Sequence, residues 1–374
     1  MLVGLSLTLA RPASLGTLSR VAGEGQLADA GFLALYRKAG EGGARRVSDG
    51  RVRARLSAIL LALCALALAA PAHAGSVLDR VRATHTVRCG ATARPGLASE
   101  ETAAGLLPDI CRAVAVAVLG PSAQAAFHIY DADVDFDAVR NGADDVFFLD
   151  ATAVAAQHLA GKLVPGPTVY IETISVMVKD ADPAQHVADL AGKPICFMLG
   201  DAAQRNLEAW FAARSLPFMR MGYQEEGEMT DAFDSRVCRG LAAETTTLAE
   251  YRLGGDMQQA GGRILPEALT EFPILAMTGT QDAQWSAVVA WTVDTLIAAE
   301  APRQDWSAGG VDALPLALPE LGLPDDWQRQ VIAAVGSYGD IYRRHLGAAS
   351  PLKLPPGPNA SWRDSGLMLA PHAE

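Results

Sequence analysis

Three shortages mark this 374-residue chain: cysteine, basic charge and long apolar runs. Its five cysteines include no CxxC pair and its seven histidines are scattered, so a structural zinc site is not expected. Lys and Arg total 31 against 42 Asp and Glu, a net charge of −11, which excludes the basic surface a nucleic-acid partner demands. The apolar stretch from Leu56 to Ala70 is short for a membrane span, and Pro71 follows it. No repeat or low-complexity tract appears. Nor does any Ser–His–Asp or Cys–His grouping, so the sequence supports no enzyme reaction and no cofactor.

What is present begins with a leader. Residues 51–74, "RVRARLSAILLALCALALAAPAHA", join arginines, an apolar core and an Ala-His-Ala ending. That is the layout of a secretory signal peptide with cleavage after Ala74, so a periplasmic location is expected. Cys64 follows Leu63 rather than a small residue, which argues against lipidation. Residues 1–50 sit awkwardly before such a leader and read as an over-long assigned start. Without residues 1–74 the chain keeps 22 basic and 38 acidic residues, a net −16, ordinary for an exported soluble protein. Roughly 300 residues remain, enough for two compact lobes. Four cysteines also remain: Cys89, Cys111, Cys196 and Cys238. An even count in an exported chain points to two disulfides, with three pairings open. Local pairing would put one in each half, each stabilising by roughly 3 kcal/mol.

The mature segments alternate between strand and helix. "HTVRCGAT" reads as a strand and "LLPDICRAVAVAVLG" as a helix stopped by Gly120 and Pro121. "AAFHIYDA" and "DDVFFLD" are further strands, with the helix-like "VDFDAVRNG" between them. A second set runs from "YIETISVMVKD" through "HVADLAG" and "KPICFMLG" to "DAAQRNLEAWFAARS". Val289, Val293 and Leu296 share one face of a late helix. Stretches near 312–324 and 350–359 read as wrapping loops. The rhythm is that of an α/β protein with mainly parallel sheet flanked by helices.

The order of these pieces resembles the periplasmic solute-binding proteins of polar amino-acid ABC transporters, in particular the general L-amino-acid-binding group. "VLDRVRATHTVRCGA" and "PDICRAVAVAV" are similar to its opening, cysteine for cysteine. "KPICFMLG" and "SRVCRG" are similar to the segments with its second cysteine pair. "LGLPDDWQRQVIAAVGSYGDIYRRHLG" and "SPLKLPPGPNASWRDSGLMLAPH" are close to its C-terminal region. The resemblance implies a two-lobed periplasmic binding protein-like II fold joined by two crossing strands, near Ser175–Lys179 and Pro273–Thr278. Lobe 1 would then comprise 75–175 and 278–374, and lobe 2 would comprise 176–277. It further implies a monomer that traps a small polar solute between the lobes and delivers it to an inner-membrane permease.

The expected solute site has drifted. Where relatives carry an arginine that grips the solute's α-carboxylate, this chain has Gln157, which cannot supply the same charge-assisted pair. In the same segment, "FFLDATAVAAQ", Asp150 replaces a neutral residue and Thr152 keeps a hydroxyl. "YIETISV" brings Tyr170, Glu172 and Ser175 to a crossing strand. "LGDAAQ" offers Gly200 and Asp201, with Ala202 and Ala203 where hydroxyls are usual. Glu244 aligns with the acidic residue that receives the α-ammonium, and Leu97 stands at a common aromatic position. Three readings follow: a cationic or neutral solute held by Glu244, Glu172 and Asp150; a relocated cation, Arg94 in "TARPGL"; or a protein that has lost transport and serves as a sensor or assembly partner. Asp150 and Glu172 also admit plainer roles as exposed or helix-capping carboxylates, and Thr152 as an N-cap. With the arginine missing, ordinary L-amino acids are expected to bind weakly.

Overall fold

The structure, a computed structural model, describes residues 76–99, 104–130, 138–139, 141–254, 261–300 and 318–371. All of them lie in one compact unit. The N-terminal extension, the leader with Cys64 and the cleavage point after Ala74 lie outside the described residues, as do most of "VDFDAVRNG" and residues 312–317.

Two parallel groups of strands are joined by two long antiparallel ones. The first group is β1 (Thr86–Thr92), β2 (Gln124–Tyr130) and β3 (Val146–Asp150), with β1 parallel to both neighbours. The second is β6 (Pro194–Met198), β7 (Met219–Tyr223) and β8 (Gly240–Glu244), with β6 parallel to both others. Between them run β5 (Thr168–Val178) and β10 (Thr270–Gly279), antiparallel to each other. β10 also pairs with β3, and β5 with β8, so the sheet order is β2-β1-β3-β10-β5-β8-β6-β7. Short strands β4 (Leu163–Val164) and β9 (Arg263–Ile264) pair with β10 and β5. The expected crossing segment Ser175–Lys179 overlaps the end of β5, and Pro273–Thr278 lies within β10. At 11 and 10 residues each extends roughly 35 Å, so both halves share one continuous sheet rather than two.

The apolar runs are buried on both faces. In β3, Val146 and Phe148 enter one core and Phe147 and Leu149 another, which is why "VFFL" lacks polar alternation. β6 divides likewise: Ile195 and Phe197 pack with Leu207, Trp210 and Phe211, while Cys196 faces Met229, Phe233 and Leu248. The helices are α1 (Ser76–Thr84), α2 (Leu106–Leu119), α3 (Ala151–Ala156), α4 (Ala202–Ala213), α5 (Glu226–Asp234), α6 (Thr245–Arg252), α7 (Ala283–Ala298), α8 (Trp327–Val335) and α9 (Tyr338–His345). α2 is apolar nearly all round because β1 and β2 cover one side and α7, α8 and α9 the other. It ends at Gly120, whose φ of 83° only glycine adopts freely.

The disulfides are Cys89–Cys111, joining β1 to α2, and Cys196–Cys238, joining β6 to the segment before β8. Each half therefore has its own bond, as the resemblance implied. At Gly90, beside the first bond, an added Cβ would collide with the Tyr130 ring, so a larger residue there requires that ring to move. The C-terminal segment binds the first half and the crossing strand together. Asn359 Oδ1 accepts from Ile171 N at 2.7 Å and its Nδ2 donates to Ile171 O at 2.8 Å. Arg252 on α6 donates to the carbonyl of Leu352.

Candidate functional site

Four parallel strands deliver candidate side chains from their carboxyl ends, where ligand sites form in open α/β sheets. β1 is followed by Arg94, β3 ends in Asp150, β6 leads to Gly200 and Asp201, and β8 ends in Glu244. The crossing strand passes among them: Ile174 of β5 lies opposite Glu244, while Ile274 of β10 lies opposite both Asp150 and Tyr170.

Arg94 and Glu244 meet across the two halves. Arg94 Nε donates to Glu244 Oε2 at 2.9 Å and Nη2 to Oε1 at 3.1 Å, a two-bond fork. Nη1 of the same guanidinium donates to Thr92 Oγ1 at 3.2 Å. The side chains are 19% and 26% exposed, so the pair is shielded without being sealed. The Arg94 backbone is fixed by a tight loop: its N–H donates to Ala98 O, and its carbonyl accepts from Leu97 and Ala98. Burial works to lower the guanidinium's pKa, but the charges of Glu244, Glu172 and Asp150 outweigh it and raise the value. Three of the carboxylates singled out in the sequence thus act on one cation, Glu244 by direct contact.

Glu172 is fully buried. Its Oε2 accepts from Thr246 Oγ1 at 2.6 Å and its Oε1 from Thr173 N at 2.9 Å. Burial, followed by the charge of Glu244, lifts its pKa to about 7 against the pull of those two bonds. Beside it runs a line of hydroxyls: Thr245 Oγ1 donates to Ser175 Oγ at 2.7 Å, and lies 2.6 Å from Thr173 Oγ1, which is left to donate. Tyr170 is buried, and its phenol is pushed up by that burial and then by Glu172. Tyr342 is raised for the same two reasons in the same order.

The remaining candidates lie farther toward solvent. Asp201 is exposed as a residue, yet burial of its carboxyl and then the charge of Glu244 raise its pKa. Gly200 has φ +87°, a left-handed backbone that suits glycine, and its N–H donates to Gln204 Oε1 at 2.8 Å. Asp150 caps α3 by accepting from Thr152 N at 2.7 Å, so its plainer role is realised while its charge still reaches Arg94. Thr152 is exposed, and Gln157 is exposed at the end of α3. Leu97 is buried in the core. The threonines are what sequence reasoning passed over, although "ETTTL" directly after a strand end was a signal for them. Asn359 had no local signal. No group of three or more His, Cys, Asp or Glu among the described residues is arranged to hold a metal.

The sequence is 28% identical over 337 residues to the general L-amino acid-binding periplasmic protein AapJ of Rhizobium johnstonii, spanning 85% of this chain and 98% of that one. It is 26% identical over 336 residues to the glutamate/glutamine/aspartate/asparagine-binding protein BztA of Rhodobacter capsulatus, spanning 84% and 98%. Among solved structures, an ABC transporter periplasmic binding protein from Brucella ovis with glutathione bound aligns at 26% identity and a TM-score of 0.62. That alignment covers 78% of this chain and 97% of the other. No family model matches the chain. The mixed α/β sheet with flanking helices is the periplasmic binding protein-like fold.

Proposed function

We propose, from homology to the periplasmic binding components of amino-acid ABC transporters, that this protein is the solute-binding component of such a transporter. It is exported to the periplasm, works as a monomer of two lobes, and presents its captured solute to an inner-membrane permease. Lobe 1 is 75–175 with 278–374, and lobe 2 is 176–277. No helix among the described residues is long and apolar enough to cross a membrane.

The observation that carries it is the Arg94–Glu244 fork. Of the three sequence readings the geometry favours the relocated cation. Arg94 takes the place left by Gln157 and receives the solute's carboxylate. Glu244 receives its ammonium, and the hydroxyls of Ser175 and Thr245 line the approach. Asp150 and Asp201 leave the site acidic once the solute has matched Arg94 and Glu244, so a neutral or cationic amino acid fits better than an acidic one.

Calorimetric titration with the common L-amino acids tests this. Neutral or cationic ones should bind with micromolar Kd, with glutamate and aspartate at least about tenfold weaker. Arg94→Ala should cost about 3 kcal/mol or more, over a hundredfold. Binding that survives Arg94→Ala would return the site to amines held by carboxylates alone. A second reading, a sensor or assembly partner without solute, draws support from the fork being satisfied within the protein. It prevails if no amino acid, amine or polyamine raises the melting temperature. Among the candidate site residues Glu172, with its pKa of about 7, is in the range of a general base, but it is enclosed by hydrogen bonds and away from solvent. Incubation with any bound solute should return that solute unchanged.

A further inference from the structure

The Arg94–Glu244 fork joins residues 150 apart in sequence, one on each side of the crossing strands. Neither end is a loose surface side chain. Arg94 sits in a loop held by Ala98 and seated on the core through Leu97, and its guanidinium is steadied by Thr92. Glu244 is the last residue of β8 and registers against Ile174 of the crossing strand. An ion pair between two rigid mounts fixes the distance between them. It also has the form of the contact that an amino-acid carboxylate makes with a guanidinium, two parallel N–H to O bonds.

We infer that Arg94 and Glu244 form an internal latch, in which Glu244 occupies Arg94 as a solute carboxylate would and draws the two halves together before any solute arrives. The inference rests on the proposed solute site. A solute then enters by exchange: its carboxylate replaces Glu244 on Arg94, and its ammonium takes the carboxylate so released. A solute with only one of these charges leaves the other half of the fork unmatched in a shielded place, so the latch discriminates against simple carboxylates and simple amines. The halves remain near each other in both states, and exchange requires a transient opening about β5 and β10. Arg252, which reaches Leu352 from the second half, is a lesser tie, since its acceptor is a neutral carbonyl.

Compactness without solute tests the latch independently of what the solute is. The disulfide-intact protein is unfolded in guanidinium without reductant, dialysed and refolded to remove carried-over solute, and its radius of gyration is measured by small-angle scattering. For about 300 residues a compact form should give about 19 Å. The wild type should sit near this value, with Arg94→Ala and Glu244→Gln larger by about 1 Å. The exchanged pair Arg94→Glu/Glu244→Arg should return to the compact value. If Arg94→Ala fails to fold, Glu244→Gln and the exchanged pair decide. Equal radii for wild type and the folded single variants overturn the latch, as does an exchanged pair as expanded as the singles. An Arg94→Ala protein that loses solute affinity but stays compact removes the latch and leaves the solute site standing.

Discussion

Two of the buried carboxylates among the described residues, Asp145 and Glu172, sit in opposite company. Asp145, at the edge of β3, is 4% exposed and Glu172, on β5, is 0% exposed. Asp145 pairs with the guanidinium groups of Arg80 and Arg88, and also accepts the Arg88 backbone N–H at 2.8 Å. Glu172 receives a threonine hydroxyl and one backbone N–H, and its strongest charged neighbour is another carboxylate, Glu244. One is matched as a structural charge should be, joining α1, β1 and β3. The other is held against its own preference, as happens where a site needs charge more than the fold does. The body follows the usual rules of burial, and the meeting place of the strand ends departs from them.

The largest effect should come from breaking the matched case. Asp145→Ala leaves two arginines without their carboxylate, and should cost about 3–5 kcal/mol in denaturant unfolding. A loss below about 1 kcal/mol would erase the contrast with Glu172.

Glu172→Gln should act in the opposite direction, and with pH. The proton of Glu172 is held more tightly in the folded chain than in the unfolded, with a folded pKa of about 7. The stability this group contributes is therefore complete below the unfolded value, about 4.5, and is lost as pH rises through about 7. At pH 8 the variant should exceed the wild type by up to about 3 kcal/mol, and the two should converge near pH 4.5. Asp294 and Glu300, also raised by burial, slope the same way in both proteins, so the difference isolates Glu172. A flat difference from pH 4.5 to 8 would place its pKa in the ordinary range.

Asn359→Ala should cost about 2 kcal/mol, because the N–H and C=O of Ile171 both lose a buried partner. The measurement is thermal unfolding of the oxidised protein. The smallest effect belongs to Thr246→Val. Removing the hydroxyl that favours ionised Glu172 should move the midpoint of its pH-dependent stability above about 7, with under about 1 kcal/mol lost at pH 5.

The body was legible from the chain because its signals are local. β1, β2, β3 and β6 showed as short apolar runs, α2 was bounded by Gly120 and Pro121, and the cysteine segments identified the pairs. Less visible were α1, β7 and α5, whose exposed faces carry few apolar residues in sequence. The continuity of the sheet was hidden as well, since it depends on which neighbours β5 and β10 find along their length. At the site, the strand-end positions were readable and the partnerships were not. Gln157 marked a missing cation, but only the folded chain brings Arg94 to Glu244. Glu172 read equally as a solute ligand or as an exposed or capping carboxylate, because nothing in "YIETISV" says that both faces of β5 are covered.

A crystal structure with a bound amino acid identified by calorimetry tests the central claim most directly. It should show the solute's carboxylate within hydrogen-bond distance of the Arg94 guanidinium and its ammonium on Glu244, with their mutual fork broken. A solute carboxylate seated instead at the end of α3 beside Gln157, with the Arg94–Glu244 fork intact, would contradict the account.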